Sequence, residues 1–361
     1  LRDGGRSGFA CGWGADGQNP PPRTFDPSMG KRISISDLKP VLAEHSSFVL
    51  CSHTRPDGDA IGSVIAMKAM LEGIGKTVVV LNEDGVPDHL KFLSGWEDVV
   101  VPSGEKVDAE VFIAFDTANQ ERLGQRCLQA VADVPLVVNI DHHISNEEYG
   151  DLFYVDDTAA AVGEIVYDIA TQLNLPIPDA ARDAMYVAVS TDTGSFQYAN
   201  TGVRTHRMVA DLVGRGVKVG EINSAIYHDY PFRRVELLTS LLGTLERSAD
   251  GRVAWWMLRQ DVKDRLEVQP GDSEGLVDVM RAIRGVVACV FFEELKGGDV
   301  RISMRSKSKK VNVCEVCAKF GGGGHVMASG ARCGGDPDEV MGEVLAALAA
   351  AVMEAGFEPI S

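Results

Sequence analysis

One short stretch, HTRPDGDAIGS at residues 53–63, carries the imidazole of His53 and the carboxylates of Asp57 and Asp59. Carboxylates held this close repel each other unless a cation or a shared proton lies between them. A divalent metal ion is the simplest solution. A purely structural alternative is also open, in which Asp59 is the N-cap of a helix beginning at Ala60 and Asp57 is a turn former.

Three further motifs carry the same kinds of side chain: FDT at 115–117, DHH at 141–143 and STDTGSF at 190–196. The first two of these directly follow apolar runs, and the third follows a predicted helix. Four such groups of acids and imidazoles are hard to explain as surface decoration. The candidate metal ligands are His53, Asp57, Asp59, Asp116, His142 and Asp192.

Apolar runs of strand length alternate with segments of helical pattern in this half of the chain, which predicts an α/β fold with a parallel sheet. The carboxyl ends of parallel strands lie at one edge of a sheet, where such folds bind ligands. The predicted strands are Phe48–Ser52, Thr77–Leu81, Val111–Phe115 and Leu136–Ile140. The predicted helices are Ser36–His45, Ala60–Ile74, Gln120–Ala130, Gly163–Leu173 and Asp179–Val189.

The number of ligands exceeds what one ion needs, and mixed carboxylate and imidazole ligation suits manganese. Two Mn²⁺ ions are therefore expected, with Mg²⁺ or Co²⁺ as other options. Asp116, alone after a central strand, is the natural bridging ligand. One ion is assigned to His53 and Asp57 and the other to Asp59, His142 and Asp192. His143 then faces the substrate phosphate or the leaving group, and Asp141 orients a histidine. The predicted chemistry is metal-assisted hydrolysis of a phosphate ester or anhydride.

The second half shows a different pattern. From Val213 a helix-poor stretch is predicted, then a connecting helix at Val235–Leu245. Three strands follow at Val253–Met257, Val286–Phe292 and Arg301–Arg305, and a short helix at Val313–Phe320. Lys307, Lys309 and Lys310 form a basic run, followed by four glycines and His325, where another helix is expected to begin. The pattern favours an anion clamp, although an edge strand protected by lysines or a flexible loop has a similar composition. Cys314 and Cys317 are predicted to pack in a helix rather than to bind zinc.

The four motifs, in their order and approximate spacing, resemble the DHH phosphoesterase superfamily, and the GGGGH sequence resembles its DHH-associated C-terminal domain. The resemblance implies catalytic roles for His143 and Asp141. It also implies a substrate-binding set of Arg305, Ser306, Gly322, Gly323, Gly324 and His325. Residues 1–28 are rich in Gly, Pro and Arg without an apolar period, so they are expected to form a disordered leader. The expected organisation of the rest is a metal-binding DHH domain (29–212), a linker helix region (213–249) and a smaller α/β substrate-binding domain (250–361), with a cleft between the two domains.

Within the superfamily, the compact two-domain plan is similar to bifunctional enzymes that degrade short oligoribonucleotides, of two to five nucleotides, to mononucleotides and dephosphorylate 3′-phosphoadenosine 5′-phosphate to AMP. The implied partners are thus short RNA or an adenosine bisphosphate. A linear or cyclic dinucleotide phosphodiesterase of the same superfamily is the alternative. A different class, a non-catalytic nucleotide-binding regulator, would have no use for a complete ligand set.

The composition of the chain argues against several other classes of protein. The chain has 361 residues, 45% of them hydrophobic, and a formal net charge of −17, which argues against binding of long duplex nucleic acid. Its seven cysteines are scattered and odd in number, which disfavours a secreted disulfide framework. No apolar run has the length of a membrane span. A cytoplasmic enzyme without a membrane partner is expected, and a homodimer is an open option.

Overall fold

The computed structural model describes residues 30–269 and 271–357. The predicted leader at 1–28 lies outside these described residues. The elements fall into two groups, each built around one β-sheet, as the sequence predicted for an α/β fold.

Within the described residues, the first group contains seven strands and seven α-helices. Its strands are β1 (Lys31–Arg32), β2 (Ser47–Ser52), β3 (Thr77–Leu81), β4 (Val99–Val100), β5 (Val111–Phe115), β6 (Leu136–Asp141) and β7 (Leu152–Val155). Its helices are α1 (Ile35–Glu44), α2 (Gly58–Gly73), α3 (Gln125–Ala130), α4 (Val162–Leu173), α5 (Asp179–Asp192), α6 (Val203–Gly214) and α7 (Val219–Tyr227). All neighbouring strands pair in parallel, in the order β1-β7-β6-β5-β2-β3-β4.

The central strands are buried on both faces, because alternate side chains point to opposite sides of a strand. Phe48 and Leu50 of β2 pack in one apolar cluster with α1, α2, α4 and α5. Val49 and Cys51 of the same strand pack in a second cluster with Cys127 and other residues of α3. Each fully buried large aliphatic side chain contributes about 1.5–3 kcal/mol. The strand ends that carry the motifs are therefore held in a rigid frame.

In the part of the chain that the structure describes, the second group contains the connecting helix α8 (Phe232–Leu242), six strands and four further α-helices. The strands are β8 (Glu246–Arg247), β9 (Val253–Leu258), β10 (Ala288–Glu294), β11 (Asp299–Ser306), β12 (Gly323–His325) and β13 (Ala328–Gly334). The helices are α9 (Gln260–Arg265), α10 (Val277–Arg281), α11 (Val313–Ala318) and α12 (Pro337–Glu354). The sheet order is β12-β13-β11-β10-β9-β8, and only the β9–β10 pairing is parallel among these strands.

Two predicted helix boundaries near the motifs are wrong. Helix α2 begins at Gly58 rather than Ala60, because Asp57 is the N-cap and accepts hydrogen bonds from the Asp59 and Ala60 N–H groups at 3.1 and 3.0 Å. Helix α5 continues to Asp192 instead of ending at Val189. The Thr191 hydroxyl donates to Val187 O at 3.0 Å and the Ser190 hydroxyl lies 3.1 Å from the Tyr227 hydroxyl, so neither side chain competes for the N–H groups of the helix.

Three other predictions fail for backbone or packing reasons. The predicted Gln120–Ala130 helix is interrupted at Gly124, where φ is +89°. The stretch predicted to be poor in helix contains α7, because Ile222 and Ile226 lie one turn apart and pack on the first core. The helix expected near His325 is instead the antiparallel pair β12–β13. The glycine sequence therefore supplies a strand, and no helix N-terminus is present there.

The predicted linker at 213–249 divides between the two cores. Its helix α7 packs with the first sheet, whereas Leu237 and Leu241 of α8 pack under the second sheet with Trp256 and Phe291. The predicted domain limits at 212 and 250 otherwise remain predictions. Among the described residues, no helix is both long and apolar enough to cross a lipid bilayer.

Candidate metal centre and substrate cleft

The sheet order brings the motif residues of the first half together. Strands β6, β5 and β2 are direct neighbours, so the residues that follow them, His142, Asp116 and His53, lie side by side at the carboxyl edge. Asp192 reaches the same place from the C-terminal end of α5. Close packing of α2 on α5 makes this possible: at Gly58 a Cβ atom would lie 2.4 Å from Thr191 Oγ1, so only glycine fits there.

The first ligand group consists of His53, Asp57 and Asp116, whose candidate ligand atoms all lie within 4.8 Å of one another. His53 Nε2 is 3.3 Å from Asp116 Oδ2 and 3.8 Å from Asp57 Oδ1. The other ring nitrogen, Nδ1, lies 2.8 Å from the carbonyl oxygen of Thr54. A proton on Nδ1 donated to this carbonyl leaves the Nε2 lone pair directed at the carboxylates, as a metal ligand requires.

The second ligand group consists of Asp59, His142 and Asp192, also within 4.8 Å. His142 Nε2 is 3.6 Å from Asp192 Oδ2 and 3.9 Å from Asp59 Oδ2. Its Nδ1 lies 3.2 Å from the carbonyl oxygen of Ala159. Both histidines thus use a backbone carbonyl to orient Nε2 toward the acids.

Asp116 lies between the two groups. Its Oδ2 faces His53, and its Oδ1 is 3.6 Å from His142 Nε2. The backbone of Asp116 has φ +55°, a left-handed conformation that few residues other than glycine adopt, and such strain is characteristic of functional sites. Its buried Oδ1 accepts no hydrogen bond from the described residues. A bound cation would satisfy these oxygens, so the position of Asp116 fits a metal ligand.

Asp59 is held by the N-terminal end of α4. The Val162 N–H donates to its Oδ2 at 2.6 Å, and the Gly163 N–H donates to its Oδ1 at 2.8 Å. Oδ1 also accepts from the Ser63 hydroxyl at 3.1 Å, so the lone pair left for a cation is on Oδ2. The side chain is 1% exposed, so its orientation is fixed before any ion binds.

The electrostatics of the site favour positive charge. Burial and Arg122 lower the pKa of His53, but hydrogen bonds to Asp116 and Asp57 outweigh them and raise it to about 10. Burial also lowers the pKa of His142, but the charges of Asp192 and Asp116 outweigh it and raise the pKa to about 10. These carboxylates hold positive charge strongly at both positions.

The acids themselves are also perturbed. Burial, then the neighbouring charges of Asp116 and Asp192, raise the pKa of Asp59 well above its ordinary value. Burial also raises the pKa of Asp192 to about 6, against the opposing charge of His142. Mutual repulsion in a buried cluster is relieved by cations. The acidic and histidine residues are therefore positioned to bind metal.

The predicted pair Asp141 and His143 lies next to these groups. His143 Nδ1 is 2.8 Å from Asp141 Oδ1 and 3.5 Å from Asp116 Oδ1. Burial alone would raise the pKa of Asp141, but the charge and hydrogen bond of His143 dominate and lower it below the ordinary range.

Sequence reasoning missed Asn146, whose amide nitrogen donates to Asp141 Oδ2 at 2.5 Å and to Asn139 Oδ1 at 2.9 Å. Asp141 is thus fixed from both sides, by His143 and by Asn146. The only signal in the sequence was an amide side chain three residues after the DHH motif.

His325 reaches this site from the second sheet. Its ring lies 4.7 Å from the rings of both His142 and His143 and is nearly parallel to the latter, at 17°. Burial, then the charges of His143 and His142, lower the pKa of His325 to about 2, which keeps this imidazole neutral. The Gly324 N–H donates to Ser145 Oγ of the first half at 3.3 Å. The two halves therefore meet at the ligand edge.

The predicted substrate-binding residues do not all face the cleft. Arg305 and His325 lie on either side of Ala328, with which both pair, and therefore share one face of the second sheet. Gly323 lies against Ser145 in the same contact. Ser306 points the other way: it is 0% exposed, and its hydroxyl donates to the Ser308 carbonyl at 2.8 Å. The Gly322 N–H is used by the Cys317 carbonyl at 2.9 Å.

Three further contacts between the halves had no signal in the sequence. The Tyr198 hydroxyl donates to Asp278 Oδ2 at 3.0 Å, and the Arg281 guanidinium lies 4.1 Å from the Tyr198 ring centre. Near the first ligand group, His89 Nε2 is 3.5 Å from Glu274 Oε2. None of these residues follows a recognisable motif, because each contact joins segments distant in sequence.

Comparison with known proteins divides the chain into the same two halves. Residues 47–189 match the DHH family, N-terminal domain, and residues 257–354 match the DHHA1 domain. The chain is 31% identical over 348 residues to the bifunctional oligoribonuclease and PAP phosphatase NrnA of Thermus thermophilus, covering 95% of this chain and 99% of the relative. It is 27% identical over 302 residues to the protein of the same name from Bacillus subtilis, covering 82% and 92%.

A solved structure has the same fold. The chain is similar to an exopolyphosphatase-related protein from Bacteroides fragilis, with a TM-score of 0.79, 24% sequence identity, and coverage of 89% of this chain and 97% of that one. With the family matches on both halves and the relative of nearly equal length, these similarities lead to one conclusion: this chain belongs to the DHH family of phosphoesterases, with a DHHA1 domain as its second half.

Proposed function

We propose that this protein is a two-metal phosphohydrolase that degrades short oligoribonucleotides to mononucleotides and dephosphorylates 3′-phosphoadenosine 5′-phosphate to AMP. The observation that supports the proposal is the placement of Asp116 between two ligand groups. Arg305 and His325 of the second sheet lie on the other side of the cleft from these groups. The names of the relatives from Thermus thermophilus and Bacillus subtilis support the choice of substrates.

Two divalent ions fit the ligand set. His53, Asp57 and Asp116 would hold one, and Asp59, Asp116, His142 and Asp192 the other. Bound ions would supply polarisation of the phosphoryl group and activation of water. Manganese suits the mixture of imidazole and carboxylate, with magnesium or cobalt as substitutes.

The remaining residues act on the substrate. His143, oriented through its Nδ1 by Asp141, presents its other nitrogen toward the cleft, where it can donate a proton to the leaving oxygen. Arg305 offers a guanidinium to a phosphate of the substrate. Neutral His325 and the backbone of Gly323 and Gly324 close the site over that phosphate. Positioning of this kind contributes to catalysis by holding the reacting groups in line.

The experiment is a kinetic comparison on purified protein with Mn²⁺, using the dinucleotide pApA, 3′-phosphoadenosine 5′-phosphate, a 20-nucleotide RNA and a cyclic dinucleotide. We expect AMP from the first two and slow turnover of the others. Metal analysis on the dialysed protein should give two manganese ions per chain. Absence of turnover on both pApA and the bisphosphate would contradict the proposal, and preferred cleavage of the cyclic dinucleotide would replace it with the alternative predicted from sequence.

A further inference from the structure

Asp192 differs from the other members of the second ligand group in how its side chain is held. Asp59 accepts hydrogen bonds from two N–H groups at the start of α4, and the His142 ring is oriented by the Ala159 carbonyl. Among the described residues, no group donates a hydrogen bond to the carboxylate of Asp192, which is 28% exposed. Its position therefore depends on the course of the main chain at the end of α5.

The main chain that follows Asp192 has an unusual conformation. Residues 194–196 are all left-handed, with φ of +56°, +57° and +64°, and two of the three are not glycine. Such a segment is strained and persists only where surrounding contacts hold it. Asn200 ties it to the site, because its amide nitrogen donates to the Asp192 carbonyl at 3.1 Å and to the Ala160 carbonyl at 3.0 Å. Contacts that hold residues 194–196 therefore also set the end of α5.

The ring of Tyr198 packs directly on this left-handed segment. A Cβ atom on Gly194 would lie 2.7 Å from Tyr198 Cδ1 and closer still to Cε1 and Cζ, so the ring occupies the place of a side chain at that position. The Tyr198 N–H donates to the Thr193 carbonyl at 2.9 Å, which closes the turn. Tyr198 is thus in contact with the backbone only two residues after Asp192.

The same tyrosine is held by α10 of the second half. Its hydroxyl donates to Asp278 Oδ2 at 3.0 Å, and the Arg281 guanidinium lies 4.1 Å from its ring centre. Arg281 Nε is also 2.9 Å from Asp278 Oδ1, so these two residues of α10 form an ion pair beside the tyrosine. Burial, then the charge of Asp278, raises the pKa of Tyr198 to about 12, which keeps the hydroxyl protonated as a donor. Tyr198 therefore connects α10 to the segment that follows Asp192.

We propose that Tyr198 is a positioning residue for Asp192, so that the second ligand group is complete only while α10 of the second half holds the tyrosine. The inference rests on the proposed function, in which Asp192 is a ligand of the second ion. It links metal binding to the meeting of the two halves, because the bond from Tyr198 to Asp278 forms only when they are together. Coupling between two such equilibria is reciprocal, so an ion at the second ligand group would in turn favour the closed arrangement.

The test titrates the metal-free protein with Mn²⁺ and follows the free ion by electron paramagnetic resonance. Asp192→Asn alters a ligand of the second ion alone and so identifies its binding phase. Tyr198→Phe keeps the ring on Gly194 but removes the hydroxyl, and Asp278→Ala removes the acceptor without altering the first half. We expect each of these two variants to weaken binding of the second ion about tenfold and to leave the first ion unchanged, because loss of a supporting partner costs about 10–100-fold in metal affinity.

Turnover at two metal concentrations separates this role from a structural one. At limiting Mn²⁺, kcat on pApA should fall about tenfold in Asp278→Ala, and saturating Mn²⁺ should restore it, since the lost affinity is then offset. Tyr230→Phe is the matched control: Tyr230 is 45% exposed and also has an arginine guanidinium, that of Arg234, 4.1 Å from its ring centre. This control should change neither Mn²⁺ affinity nor kcat.

Three results would overturn the proposal. Equal weakening of both ions with a lowered Tm would mean that a loosened fold explains the loss. Weakening of the second ion in Tyr198→Ala, but not in Tyr198→Phe or Asp278→Ala, would mean that the ring supports Asp192 without the second half. Unchanged affinities in all three variants would remove Tyr198 from the site. Wild-type protein that binds fewer than two Mn²⁺ ions or does not cleave pApA would instead be a failure of the proposed function.

Discussion

The ligand edge of the first sheet and the cleft face of the second sheet carry the two halves of the proposed site, and the fold brings residues to these two places in different ways. At the ligand edge, His53, Asp116 and His142 follow three neighbouring parallel strands directly. On the second sheet, Arg305 lies within β11 and His325 ends β12, and both strands pair antiparallel with β13.

This difference determines how robust a prediction from sequence is. A residue that follows a buried parallel strand reaches the carboxyl edge even if the strand boundary is misjudged by one or two residues. A residue within an antiparallel strand changes face with each step along the chain. Arg305 and Ser306 are adjacent in sequence, yet Arg305 lies on the cleft side and Ser306 is fully buried in the opposite direction.

The largest expected effect tests the ligand edge. Asp116→Asn keeps the size of the side chain but removes the charge shared by both ligand groups. We expect kcat on pApA to fall on the order of 10³-fold with Mn²⁺, because several kcal/mol of transition-state stabilisation depend on the bound ions. Asp133→Asn, on a side chain that is 68% exposed, is the control. A fall of less than tenfold in Asp116→Asn would contradict the bridging assignment.

A smaller effect is expected one contact further out. Asn146→Ala removes the donor that holds Asp141, and Asn146→Asp replaces it with an acceptor of the same shape. Loss of an outer partner of this kind costs about 10–100-fold in activity. We expect kcat to fall in both variants while KM stays within about twofold.

The split between kcat and KM separates this positioning role from a structural one. If Asn146 only supported the fold, both variants would show a lowered Tm with little change in kcat. That outcome would remove Asn146 from the site.

On the second sheet, Arg305→Ala tests the cleft face. Loss of one charge-assisted hydrogen bond to phosphate costs about 1.5–3 kcal/mol, or about 10–150-fold in KM. Arg305→Lys should recover part of the loss, since lysine keeps the charge but not the planar fork. Lys309→Ala, which removes an exposed lysine just beyond β11, should leave KM unchanged. An equal effect at Lys309 would favour a diffuse basic surface over a defined position.

The smallest effect is expected at the neighbouring Ser306. Its hydroxyl serves the turn that follows β11, where it donates to the Ser308 carbonyl and accepts from the Ser308 N–H at 3.1 Å. Ser306→Ala should lower the free energy of unfolding by about 1 kcal/mol and leave KM for pApA within about twofold. A tenfold rise in KM with unchanged stability would mean that the hydroxyl contacts substrate after all.

The sequence by itself determined which side chains carry the chemistry. Apolar runs fixed the positions of β2, β3, β5 and β6 to within one residue, since a strand buried on both faces needs continuous apolar residues. Three of the four motifs follow these strands and the fourth follows a predicted helix, which placed acids and imidazoles at one edge. Charge and residue type are local properties, and they can be read without knowledge of the fold.

The tertiary structure decided which atoms meet. The position of Asp59 at the N-terminal end of α4 joins residues 103 apart in sequence, and the bond from Gly324 to Ser145 joins residues 179 apart. The packing of α7 on the first core and the contact of Glu274 with His89 arise in the same way. Such contacts depend on strand order and on the paths of the loops, which no local pattern of polar and apolar residues encodes.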